Sequence, residues 1–511
     1  MKLLGKSLLA VFFLIIFAVV ALWILAKNIK PETIKNLINN QITAITHKKS
    51  QINGDIFWQV FPRPGLKFSK IQIGDENIRE DYFLSIDTLL LNLQITPLLK
   101  GNFVFSEINV DGMKLQINKN VPKAKKINDE SSAKNNESVS HQFAIQNLVL
   151  SHGQISIHKN GRSTVFKNVQ VGIEQFNTAK LPFPIQIKAR LIQAAPVSIA
   201  KASINFKGRM VIASSLVNEI QDGLVQSSIE GQLNIQNILL NQFAISKLNS
   251  TIKPNKNGIT FNPLTLSLYN GESIGDMDYN FANQQIALNQ TATNLDGKLL
   301  MAALLGREAV SGNLDYSVHA TVPLNDSGLE HISGKGNITI KDGEIYNINL
   351  NQLIATLKEQ LSNFSSGKPD HPKKSLQLSD WDSSKSAKGN TPFKLANIQY
   401  QVHNKQLISD SLLLQTDKLQ VSGEGSLHLV SHELNAKLKA SLNNNSTDSS
   451  LQKMQSALGG HFPLNVSGTL EHPVVLPDLK MINPLLSQLL ITTTLEKPIK
   501  KLEGTIKGLL R

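Results

Sequence analysis

The strongest constraint in this sequence is a period of two. Leu115 and Ile117 alternate with polar neighbours, as do Ile155 and Ile157, then Val169, Val171 and Ile173. The spacing returns at Ile204 and Phe206, at Leu264, Leu266 and Leu268, and at Tyr279 and Phe281, set to face Ile286 and Leu288. Its clearest form is Leu427 and Leu429, a turn at Ser431-His432-Glu433, then Leu434, Ala436, Leu438, Ala440 and Leu442. Successive side chains of a strand point to opposite faces, so this pattern predicts antiparallel sheet with one apolar and one solvated side. Lys159-Asn160-Gly161-Arg162 adds an Asn-Gly hairpin turn between two such runs. Composition fits. Charged residues are 18% of the chain and hydrophobic residues 41%, so Asn, Gln, Ser and Thr supply the polar side.

Helical spacing is rarer. Pro31 to Ile45 predicts a short helix, with Ile34, Leu37, Ile38, Ile42 and Ile45 on one stripe. Asp296 is placed to cap a helix containing Leu299, Leu300, Ala303 and Leu304. Leu350 to Leu361 and Leu451 to Leu458 are two more. At the end, Ile499, Leu502, Ile506 and Leu509 with Lys500, Lys501, Lys507 and Arg511 form a basic amphipathic helix, suited to a membrane, a partner or the end of a sheet.

Leu8 to Ala26 carries no charged or strongly polar side chain. A helix of that length spans the roughly 30 Å hydrocarbon core of a bilayer. Leu25-Ala26-Lys27-Asn28 lacks a small-residue cleavage site, so the segment is expected to stay as an anchor. It is the one span of its kind, which excludes a multi-pass membrane protein. Lysines flank it on both sides, so charge alone does not orient it.

Two polar stretches without apolar periodicity, at 119–142 and 365–390, read as solvated loops. The expected organisation is a tail at 1–7, an anchor at 8–26 and a β section at 27–118. A middle β section at 143–364 and a C-terminal section at 391–511 follow the two loops. The fold class is thus mainly β behind a transmembrane helix, with a few short helices.

Reactive chemistry is scarce. Zero cysteines exclude a disulfide framework, thiolate zinc sites and cysteine nucleophiles. Gly271-Glu272-Ser273-Ile274-Gly275 matches Gly-x-Ser-x-Gly, but a nucleophile elbow needs a helix after it, and Asp276 to Phe281 alternates like a strand. Asp276, Asp278 and Asn280 begin like a calcium loop, yet Phe281 stands where Gly is needed and Ala287 where Glu is needed. Gly5-Lys6-Ser7 lacks the upstream Gly of a P-loop. His428 and His432 flank a strand end rather than share a helix face. No catalytic, metal or cofactor site is expected. Lys and Arg exceed Asp and Glu by 52 to 39, a net +13. The basic residues form no dense stripe and aromatics are 6%, so attraction to anionic lipid is the expectation and nucleic acid is not.

Specific motifs bracket the pattern. Lys30-Pro31-Glu32 follows the anchor, then Gly54-Asp55-Ile56-Phe57-Trp58 and Phe61-Pro62-Arg63-Pro64-Gly65-Leu66. Thr96 to Gly101 (TPLLKG) and Ile108-Asn109-Val110-Asp111-Gly112 come next. The later half has Asp342 to Leu350 (DGEIYNINL), Thr391-Pro392-Phe393, Val421-Ser422-Gly423-Glu424-Gly425, Phe462-Pro463-Leu464, Ser467 to Leu470 (SGTL) and Pro477-Asp478-Leu479. In order and spacing the chain resembles the AsmA family of Gram-negative envelope proteins. It departs from that family after Asp111-Gly112, where the polar stretch from Lys119 replaces an Asn-Trp element.

The resemblance implies an inner-membrane-anchored periplasmic protein whose long, curved antiparallel sheet forms an apolar groove. It implies phospholipids as cargo moved toward the outer membrane, with outer-membrane or periplasmic assembly proteins as partners. The expected groove lining is Ile338, Ile340, Leu427, Leu429, Leu434, Leu438 and Leu442, and Leu438 is the position where an acid is expected to block it. The alternative is a non-catalytic scaffold that assists outer-membrane protein assembly through protein contacts. A hydrolase using Ser273 and an outer-membrane barrel are weaker readings.

Overall fold

The computed structural model describes residues 48–59, 63–76, 82–94, 105–118, 144–159, 161–177, 180–193, 200–212, 228–324, 331–365, 389–443 and 448–485, with residues 35, 36, 39, 40, 43 and 96. The expected anchor at 8–26, the loop at 119–142, nearly all of the loop at 365–390 and the final basic helix lie outside these residues. Of the expected helix at 31–45, residues 35, 36, 39, 40 and 43 are described and are helical. Among the described residues, no helix is long and apolar enough to cross a membrane. The chain is mainly β and divides into two compact units, Met1–Asn241 with Ile245–Ile259, and Gln242–Ala244 with Thr260–Arg511.

The first unit holds β1 (Ser50–Ile52), β2 (Ile56–Gln59), β3 (Gly65–Ile73), β4 (Tyr82–Leu93), β5 (Phe105–Asp111), β6 (Lys114–Asn118), β7 (Ala144–Lys159), β8 (Arg162–Asn177), β9 (Phe183–Gln193), β10 (Ala200–Val211), β11 (Ser228–Leu240) and most of β12 (Phe243–Asn255). Strands β1 and β2 both pair with β3, and β3 with β4. Strands β5 and β6 pair with opposite ends of β4, and both run parallel to β7. From β7 to β11 each strand pairs antiparallel with the next. The parallel step departs from the uniformly antiparallel expectation. A parallel neighbour needs a crossover of a dozen or more residues, and the long connection between Asn118 and Ala144 supplies it. At this step His152 and Asp111 lie 2.6 Å apart. Gly112 there has φ +67°, and a Cβ would strike Asp87. Phe68, Ile71 and Ile52 form the buried core under β3, with Leu89 and Leu91 of β4 against it. The expected Asn-Gly hairpin joins β7 to β8, with Lys159 opposite Arg162.

The second unit continues with β13 (Gly258–Leu268), β14 (Gly271–Asn280), β15 (Gln285–Asp296), β16 (Val310–Pro323), β17 (Ser333–Ile345), β18 (Thr391–His403), β19 (Gln406–Gln415), β20 (Leu419–His428), β21 (Leu434–Leu442), β22 (Phe462–Gly468) and β23 (Pro473–Pro477). From β14 to β23 every strand pairs antiparallel with its successor. Strand β23 is short and bounded by prolines, and among the described residues it pairs with β22 alone.

The helices of this unit among the described residues include α1 (Gly297–Leu305), α2 (Leu350–Ser365) and α3 (Ser449–Ala457). Asp296 caps α1 by accepting from the Leu299 amide at 3.1 Å, as its position predicts. Asp448 caps α3 through Ser450 and Leu451. Strand directions place these helices, and the helical residues 479–485, at one margin of the sheet. There Leu350, Leu353, Ile354 and Leu357 of α2 pack on Leu419, Val421, Ala440, Phe462 and Leu464, with Ile482 from the last helical turn.

Two of the motifs meet at this margin. Gly343 pairs with Phe393 and Ile345 with Thr391. Gly343 leaves the room that the Phe393 ring occupies. The Thr391 hydroxyl donates to the Ile348 carbonyl at 2.6 Å and accepts from the Leu350 amide at 3.0 Å, fixing the start of α2. Bulges bend the strands. Asn294 takes φ +56° where the β15–β16 register shifts, and Asp342 takes φ +50° in β17. Bending within this unit is large. Arg307, just after α1, donates to the Leu470 carbonyl at 3.1 Å, although six strand spacings of about 4.8 Å separate β16 from β22 along the sheet.

Leu357 is fully buried, so Leu357→Ala is expected to cost about 2–5 kcal/mol, read by chemical denaturation. The Lys358 ammonium, 2.8 Å from Asp448, and the capped amides hold the Asp448 carboxyl below its ordinary value of 3.8. Its contribution to stability is present above that value and lost as pH falls through the depressed one. Asp448→Asn keeps a capping side chain, so it is expected to flatten this acid limb of a melting-temperature-against-pH curve while preserving α3 in circular dichroism.

Candidate functional site

Register carries the apolar side across the second unit without a break. Met277 pairs with Leu288 and Tyr279 with Ile286. Leu288 then pairs with Ala320 and Gln290 with Val318. Tyr316 pairs with Ile338, and Ile338 with Ile398. Ile398 meets Leu412, and Leu407 meets Leu427. Leu427 pairs with Leu434, Gly423 with Leu438, and Ala436 with Val466. Val466 in turn pairs with Val475 of β23. Paired residues share a face, so all of these stand on one side of ten consecutive strands. None of the residues in these pairs is charged. The other side carries Asp276, Asp315, Lys341, Lys335, Glu424, Lys437 and Lys439. The first unit repeats the pattern: Leu150, Val171, Ile187, Phe206 and Leu233 share a side, while Lys188, Arg190, Lys207 and Arg209 stand opposite.

The seven expected lining residues fall into distinct settings. Ile338, Leu427 and Leu434 are half-buried on the apolar face. Ile340 is 7% exposed and pairs with the buried Leu314 of β16. Leu438 and Leu442 pack against the α2 core, and the Leu442 amide donates to Gln455 of α3 at 2.6 Å. Leu429 lies in the turn after β20, where its amide donates to the Lys405 carbonyl. The face is therefore graded: closed beneath the helices, half-open toward the hairpin turns. Leu314, Val318 and Val322 of β16 and Ile398 and Val402 of β18 belong to it as well. Their period-two spacing is plain in the sequence and was the signal for them. Phe281 falls in the turn, so Met277 takes the place opposite Leu288.

Ser273 sits within β14, fully buried. Its hydroxyl donates to Gln290 Oε1 at 2.7 Å and accepts from Tyr316 at 3.2 Å. Gln290 in turn donates to the Leu264 carbonyl at 3.3 Å. A strand follows Ser273, not a helix, so the elbow geometry is not formed. Asp276 and Asp278 face Asn289 and Thr260 as strand neighbours, and no three potential ligands gather around a metal site among the described residues. His428 accepts from the Ser431 amide at 3.0 Å, and His432 pairs with Glu471.

A cleft of about 690 Å³ opens on the opposite, polar face between Asp410, Glu424, Lys437, Asn465 and Lys480. Its lining mixes charges of both signs with apolar residues, among them the exposed Ile408. Ser273→Ala leaves Gln290 and Tyr316 without a shared partner and is expected to lower stability by about 1–3 kcal/mol in thermal or chemical melts.

Comparison with known families gives one match: the AsmA family, over residues 1–210 and 211–404. No curated protein matches the chain.

Proposed function

This chain belongs to the AsmA family, and from that premise we propose that it is a single-pass, inner-membrane-anchored periplasmic protein that shelters phospholipid acyl chains and passes them toward the outer membrane. Membership points to envelope biogenesis. The observation that carries the finer reading is the run of uncharged, mostly apolar cross-strand pairs spanning β14 to β23. Ten strands at about 4.8 Å spacing make a strip roughly 43 Å long. An acyl chain covers about half of a ~30 Å hydrocarbon core, so more than one chain length fits along it. Each sheltered CH₂ gains about 0.8 kcal/mol, and a chain of roughly 16 carbons gains on the order of 10 kcal/mol. Such sliding needs a continuous apolar lining and no reactive group.

The half-open margin is where a lipid would lie. Photocrosslinking residues at Ile338 and Leu434 of the full-length chain in membranes are expected to yield lipid adducts. Adducts with protein alone would sink this reading and favour the scaffold. A paired substitution separates groove from core. Leu434→Asp is expected to impair the envelope barrier with the melting temperature nearly unchanged. Leu438→Asp acts on the helix-covered core and is expected to lower the melting temperature markedly.

A further inference from the structure

Two phenols on the apolar face, Tyr279 at the turn end of β14 and Tyr400 within β18, make no hydrogen bond among the described residues. Tyr400 pairs with Gly336, and its ring lies over that glycine: a Cβ there would strike both the Tyr400 ring and the Ser317 carbonyl. Tyr316, on the same face, lies across Ala292 and spends its proton on Ser273. Ser273 spends its proton on Gln290, and Gln290 donates to Leu264. Both hydroxyl protons of that chain are committed. The Tyr400 hydroxyl, half-buried, makes no hydrogen bond among the described residues.

A phenol set among uncharged paired neighbours selects its partner by chemistry. Burial, and behind it the neighbouring Tyr316, pushes the Tyr400 phenol above the ordinary tyrosine range, so it remains a neutral donor. An anionic phosphate or carboxylate would need a cation beside it, and the lysines of β17 and β21 stand on the other side of the sheet. A neutral acceptor carried between acyl chains and headgroup meets the requirement. We propose that the Tyr400 hydroxyl donates a hydrogen bond to an ester carbonyl of a diacyl lipid lying on this face, with Gly336 as the residue that makes room for the ring. This rests on the lipid-sheltering function proposed above and adds to it a preference for ester-linked over ether-linked lipid.

The test uses the full-length chain in detergent micelles containing equimolar diester and diether phosphatidylethanolamine of identical chain length. Retained lipid is quantified by mass spectrometry after excess lipid is removed. The wild-type chain is expected to retain the diester form about two- to tenfold over the diether form, the span of one neutral hydrogen bond. Tyr400→Phe keeps the ring and is expected to retain both equally at a similar total, with an unchanged melting temperature. Equal retention by the wild-type chain, or a preference that survives Tyr400→Phe, overturns the assignment while leaving the lipid function standing. No retained lipid of either kind overturns both.

Discussion

Everything in the second unit depends on keeping side-chain parity from one strand to the next. In an antiparallel ladder a slip of one residue sends a whole apolar set to the solvent. Here the pairing from Met277 with Leu288 to Ala436 with Val466 holds all of those residues on one side. Where bulges add a residue, as at Asn294 between Ala292 and Leu295, both flanking residues still reach the inner side, and Leu295 and Ala292 are fully buried. The bulge at Asn294 bends the sheet while keeping its flanking apolar residues buried.

The helices then impose a direction on that face. They sit at one margin because each enters where a strand ends there: α1 after β15, α2 after β17, α3 after β21. Their apolar stripes close the floor around Leu357, Phe462 and Leu464. At the turn margin Leu427 and Leu434 pair with each other and have no such cover in the core cluster. One sheet thus serves as a conventional core along one border and as an open lining along the other. That division explains why Leu438 and Leu434, four residues apart on one strand, play different parts.

Much of this was legible in the sequence because periodicity reports facing directly. The hairpin at Leu427 to Leu442, the caps at Asp296 and the strand character after Ser273 all follow from local spacing. What periodicity does not report is which inward residues another element covers. Leu438 and Leu434 look alike in sequence, and only the tertiary placement of α2 separates them. The parallel step at β5 and β6 onto β7 was hidden for a related reason: pairing partners across a long connection leave no local trace. The same holds for Tyr400, whose neighbour Gly336 lies 64 residues away in sequence.

Building a lining from successive hairpins makes it a ruler. One added or lost hairpin changes the strip by two strand spacings, about 10 Å, and returns the chain to the same border with the same parity. Loss of a single strand would instead reverse the direction of everything downstream and carry the helices to the opposite border. Length in this architecture is therefore free to vary in whole hairpins and in no smaller step, which ties the distance a cargo can travel to a count rather than to the identity of any side chain.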